Sequence, residues 1–171
     1  ILRYIGDSSY AAALKKQVTA SIERCTSWTE LFHSLVHETF KDDGLVIFNS
    51  HLEAVRELEV PIMQNMFKQH KAIDAAFKEG QEEFIRTLNK APVIQTETNV
   101  HLFANAASIR TLITETEEEN AYVLGDEKLS KDEILKRIEQ SPIEFSNNVV
   151  TRPLMQEMLF NTAVFLSLIH I

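Results

Sequence analysis

Residues 41–53, KDDGLVIFNSHLE, set a stop signal, an apolar run and a start signal side by side. Lys41 to Gly44 has the composition of a turn that ends a helix, with glycine where the backbone must leave the right-handed region. Leu45 to Phe48 is an unbroken apolar run of strand length, the pattern expected when both faces of a strand are covered. Asn49 and Ser50 close that run, and Ser50 stands three residues before Glu53, the spacing of a capping box. A buried strand that feeds a turn and a helix is the grammar of an α/β layer, in which ligands sit beyond the carboxyl ends of strands. Asn49, Ser50 and His51 occupy that position.

Upstream, Leu14, Val18 and Ile22 recur at helical spacing among Lys, Gln and Glu, which predicts a surface helix over 9–25. Ser27 and Glu30 carry a second capping-box spacing, followed by the stripe Leu31, Phe32, Leu35, Val36 and Phe40. Downstream, Pro61 removes a backbone donor and crowds the preceding turn, so a break near 60 is expected, with a new helix to about 89. From Ala91 to Gly125 the composition turns to Thr, Val and Ile in alternation and predicts three short antiparallel strands. Glu115 to Glu119 reads as a solvated turn. Ser130 and Glu133 cap a helix that ends before Pro142.

Length and composition bound the function. The chain has 171 residues, 44% of them hydrophobic, enough for one domain with a core or one domain carrying an insertion. A net charge of -8 leaves no basic footprint for a phosphate backbone, so no nucleic-acid partner is expected. The single cysteine, Cys25, has no partner for an internal disulfide, and no signal peptide is visible, which suits the cytoplasm. No membrane span is expected, although Ala163 to Ile171 is apolar and reads as a strand or a frayed end. The start at Ile1 and the stop after FLSLIHI read as a piece of a longer protein.

Among the candidate chemistries, His33 and His37 lie at i, i+4 on a predicted helix, a separation that suits a metal. They fall on its polar flank with no third ligand in view, and read as solvated histidines; no metal is expected. Nothing pairs Cys25 with a base, so it reads as a bystander thiol. His101, in NVHLF, reads as strand surface. The stretch FSNNVVTRPLMQEM at 145–158 is different, because it embeds Arg152, Asn148 and Gln156 among apolar neighbours. A guanidinium grips a carboxylate through two parallel bonds, and flanking amides read hydroxyls or further acceptors, which suits a small anionic substrate. Pro153 disfavours helix at the residue before it, so a bend that presents Arg152 is expected. The alternative is a structural arginine tied to a carboxylate elsewhere in the fold.

FSNNVVTRPLMQEMLFNTAVFL, with DDGLVIFNS upstream and NVHLFANAASIRTLI between them, resembles the bacillithiol biosynthesis cysteine-adding enzymes. The family pattern runs close to Phe-Ser-Pro-Asn-Val-Val-x-Arg-Pro-x-x-Gln, which Phe145, Ser146, Asn148, Val149, Val150, Arg152, Pro153 and Gln156 match. Asn147 replaces the usual proline, NAAS at 105–108 replaces a Gly-Ala-rich turn, and SLIHI departs from the family's glycine-rich continuation.

The resemblance implies an α/β chain with a partial Rossmann-like core over 1–60 and 143–171. Residues 61–142 would form an inserted α+β connecting region with a small antiparallel sheet. It implies a cytoplasmic ligase that joins cysteine to glucosaminyl malate in the last step of bacillithiol synthesis, with ATP as activator and a coiled-coil homodimer in the full-length family. Arg152, Asn148, Gln156, Asn49 and Ser50 would bind substrate, the catalytic residues would stay unassigned, and this fragment alone would be inactive. The competing class is a non-catalytic acidic α/β interaction module, in which Arg152 would pair with an internal acid.

Overall fold

Ser27 behaves as its spacing to Glu30 predicts. In the computed structural model, which describes residues 9–90, 100–106 and 109–164, its hydroxyl accepts from the Glu30 amide and starts helix α2, Trp28–Phe40. Glu30 reaches back to the amide and hydroxyl of Thr26, one residue further than a strict capping box. Helix α1, Ser9–Arg24, precedes it. The two helices meet through small groups: Ala11 and Ser21 are buried, and the Ser21 and Ser34 hydroxyls lie 3.2 Å apart. The predicted stripes are largely uncovered, since Leu14, Ile22, Phe32 and Phe40 are all exposed.

The chain divides into two units between Asn49 and Ser50. Residues 45–48, expected as a buried strand, form no strand, and Val46 is 86% exposed. A strand needs a neighbour for its backbone donors and acceptors, and among the described residues no strand pairs with this run. The spacing of Ser50 to Glu53 likewise makes no cap: the N-cap of α3 is Leu52, with no side-chain hydrogen bond.

In the unit that begins at Ser50, helix α3 spans Glu53–Lys68 and helix α4 His70–Leu88. The break expected at Pro61 falls instead at Gln69. Pro61 and Glu57 both face solvent, so water takes the carbonyl that the missing proline N–H leaves free. The β region is richer than the three strands expected. Strands β1 (Leu102–Ala106) and β2 (Ile109–Leu112) form an antiparallel hairpin, and β1 also pairs with β6, Phe145–Asn147, in the sheet order β2-β1-β6. A second antiparallel sheet orders β3 (Thr114–Glu115), β4 (Ala121–Leu124) and β5 (Glu127–Ser130). Leu124 pairs with Glu127 across a two-residue turn in which Gly125 takes φ 62°, the conformation such hairpins demand. Any strand on 91–99, like the apolar run from 165 to 171, lies outside the described residues.

Ser130 and Glu133 close the predicted capping box and start helix α5, Lys131–Gln140. A short 3-10 turn, Pro142–Glu144, then leads into β6 and helix α6, Thr151–Phe160. Met63, Met66 and Phe67 of α3, Leu102 and Ala104 of β1, Tyr122 and Leu124 of β4, Ile134 and Ile138 of α5, Phe145 and Met155 share one core. Strand β6 pairs with β1, and Phe145 of β6 and Met155 of α6 join the core that α3 helps to build.

Candidate functional site

Strand β1 starts one residue late, and that delay builds the site. His101 takes φ 60°, left-handed backbone that costs most residues about 1 kcal/mol or more. The turn breaks the pleat, so Val100, His101 and Leu102 are buried in succession, at 1%, 0% and 0% exposure, where alternation would have sent His101 to the surface. Its carbonyl is pinned from α6 and the turn before it: it accepts from the Asn148 amide at 3.3 Å and from the Thr151 hydroxyl at 2.8 Å.

The His101 ring bridges two elements. Nε2 lies 3.0 Å from Asp74 Oδ1 on α4, and Nδ1 lies 3.1 Å from Asn148 Nδ2. Lys78, one turn along α4, donates to the other Asp74 oxygen at 2.6 Å. Phe77 closes the ring's edge at 5.6 Å between centroids. Burial holds the His101 imidazole below its ordinary value; Asp74 pulls the other way, and the Lys78 and His70 charges add to burial. His70 sits further back on α4, its Nδ1–H donating to the Phe67 carbonyl at 2.7 Å, with Glu115 3.5 Å from Nε2. Glu115 also pairs with Lys71 and is largely covered, so it is no part of a solvated turn.

Asn148 is the hinge between this network and α6. Its Oδ1 accepts from the Val150 amide at 2.9 Å and the Thr151 amide at 3.1 Å, taking two of the first-turn donors that a helix start leaves over. Its carbonyl accepts from the Arg152 amide at 3.0 Å. Both ends of this buried amide are therefore engaged within the protein.

Arg152 rides on the first turn of α6 instead of a bend. Pro153 sits in that same turn, where its missing N–H has no helical partner to lose. The guanidinium is exposed, and among the described residues it joins no ion pair. Gln156, four residues on, shares its helix face. The Gln156 Oε1 atom is buried and has no hydrogen-bond partner among the described residues. An apolar groove of about 450 Å³ between α4 and α6 is lined by Ala72, Ile73, Ala76, Phe77, Val150 and Leu154. Leu154 lies roughly 200° round the helix from Arg152, so the groove and the guanidinium occupy opposite flanks of α6. Asn49 is half-buried at the close of the first unit, and Ser50 is exposed in the turn that opens the second.

Asp74, Lys78 and Thr151 escape the sequence reading, and His101, expected on a strand surface, is buried instead. The usable signal was the run His70, Asp74, Lys78 at i, i+4, i+8, a polar stripe on the side of α4 that also carries Phe77. Among the described residues no group of three or more His, Cys, Asp or Glu is placed to hold a metal, and no helix is long and apolar enough to cross a membrane. Cys25 follows α1, half-buried, as a free thiol.

Residues 1–167 match the family model described as "Bacillithiol biosynthesis BshC, N-terminal Rossmann-like domain". The chain is similar to proteins named "Putative cysteine ligase BshC". It is 36% identical to the one from Staphylococcus saprophyticus over 95% of this chain and 30% of the relative. It is 41% identical to the one from Staphylococcus aureus (strain MRSA252) over 85% of this chain and 27% of the relative. The chain thus spans less than a third of the length of these relatives.

Proposed function

The chain belongs to the bacillithiol biosynthesis BshC family, with a mixed α/β fold, and from that premise we propose that it is part of a ligase joining cysteine to glucosaminyl malate in the last step of bacillithiol synthesis. Amide formation from a carboxylate and an amine is uphill in water, so the cysteine carboxylate must first be activated, with ATP as the natural source. Gly44, Gly80 and Gly125 lie in a turn, inside α4 and in a hairpin, so these described glycines gather into no phosphate loop. No step is therefore routed through ATP here. In the full-length protein, a cytoplasmic homodimer on this reading, other segments supply it, and this segment alone is inactive.

Its own residues hold an acid. The observation that carries this assignment is Arg152, exposed and in no ion pair among the described residues, on a turn fixed from behind by Asn148 and His101. Arg152 grips a malate carboxylate with its planar fork, Gln156 follows one turn on along the same helix face, and Asn148 serves by setting the turn. An interaction module that used Arg152 structurally would pair it with an internal acid.

The test is to change Arg152 to Ala and to Lys in a chain spanning the full length of the relatives and follow the joining of cysteine to glucosaminyl malate. Loss of a charge-assisted fork predicts about a tenfold to hundredfold fall in kcat/KM for Arg152→Ala, with Lys recovering only part. Near-normal turnover in both variants rejects the assignment.

A further inference from the structure

Hydrogen-bond polarity runs one way through the buried network. Asn148 Oδ1 receives two backbone N–H groups, which fixes its amide: Nδ2 must be the end that faces His101, and it can only donate. His101 Nδ1 therefore carries a lone pair, and the ring's one proton sits on Nε2 and points at Asp74. A proton added at Nδ1 would set two donors against each other about 3 Å apart in a site closed to water. The amide cannot answer by turning over, because its NH2 would then face the Val150 and Thr151 donors.

We propose that neutral His101 is a positioning residue that acts as a pH-operated latch: protonation of Nδ1 expels the Asn148 amide and releases the first turn of α6, the turn that carries Arg152. The proton comes from solvent, and the imidazolium stays paired with Asp74. Among the described residues, the charged or titratable groups facing the ring from α4 are Asp74, Lys78 and His70, with His70 itself backed by Glu115, and from α6 and the turn before it come only the neutral Asn148, Val150 and Thr151. The left-handed backbone at His101 fits this role, because strain of that kind survives only where surrounding contacts overdetermine it. In its consequence for substrate the latch rests on the reading of Arg152 above; as a conformational device it does not.

Nitrogen NMR on the 171-residue chain tests the device without any ligand. At pH 7.5 the His101 nitrogens are expected to report the Nε2–H tautomer. As His101 titrates below pH about 6.5, amide protection at Val150 and Thr151 is expected to fall about fivefold or more, the equivalent of one lost cap, while Val123 and Leu129 in the second sheet hold theirs. In Asn148→Asp, an acceptor faces Nδ1, so the His101 titration is expected to move to higher pH. An Nδ1–H tautomer at neutral pH, protonation without loss at Val150 and Thr151, or an equal loss at Val123 and Leu129 overturns the latch. A second arm measures KM for glucosaminyl malate between pH 7.5 and 6 in a chain of full family length. A rise in KM that follows the His101 titration supports the link to Arg152; a latch seen by NMR with a flat KM keeps the device and overturns the substrate reading instead.

Discussion

Replacing Asn148 by alanine removes more than its size suggests. The side chain accepts from two first-turn amides, at 2.9 and 3.1 Å, and donates to His101 at 3.1 Å. Loss of an N-cap costs about 1 kcal/mol. His101 Nδ1, fully buried, is left without a donor, which adds about 1–2 kcal/mol. Thr151 is also fully buried, so water cannot take over its amide, and the total comes to about 3 kcal/mol. In a unit of this size that lowers the midpoint of thermal unfolding by roughly 10 °C. Urea unfolding of the wild-type and variant chains checks the figure, with the m-value unchanged if only the folded state is affected. Asn148→Ser keeps an oxygen for the cap and is expected to recover about 1 kcal/mol. A loss below about 0.5 kcal/mol for alanine, the level of an ordinary surface change, would refute the capping argument.

Three further outcomes follow from the fold. Burial holds the folded-state value of His101 below the ordinary imidazole value, so below pH about 6.5 the unfolded chain binds the extra proton first. Its contribution to stability is complete above that pH and is lost as pH falls from there through the lower folded value; urea midpoints at pH 7.5, 6.5 and 5.5 should show this slope, and it should flatten in His101→Asn, which tolerates the left-handed backbone. Ser130→Ala opens the capping box of α5 and is expected to cost about 1 kcal/mol by chemical denaturation, with Glu133→Ala on the same background adding little, since the two residues cap reciprocally. Phe67, fully buried and 4.9 Å from the Tyr122 ring, should cost about 3–5 kcal/mol when cut to alanine, read as a lowered urea midpoint.

What the sequence conveyed well was local. Ser27 and Ser130 announce helix starts because the cap is made by residues three apart, and both start where their spacing says, whereas Ser50 and Glu53 share that spacing and make no cap. Where the outcome depended on a partner elsewhere in the chain, local rules misled. Leu45 to Phe48 has the composition of a core strand, but composition supplies no neighbouring strand. Pro61 breaks no helix because its face is wet, a property set by tertiary packing. Ser146 and Asn147 belong to a sheet only because β1 offers an edge. The alternation that placed His101 on the surface fails at a single left-handed residue, which no periodicity foretells. The family pattern, by contrast, singles out Asn148, Arg152 and Gln156 as candidates, since these positions match it; it does not reveal that Asn148 faces inward and that Asp74 and His101 stand behind it.

The most direct measurement of the central claim is calorimetric binding of glucosaminyl malate to a chain of full family length, with and without Arg152→Lys. The lysine keeps the charge and loses the two-bond fork. If Arg152 grips the malate carboxylate, Kd should rise about tenfold or more in the variant. An unchanged Kd would contradict it.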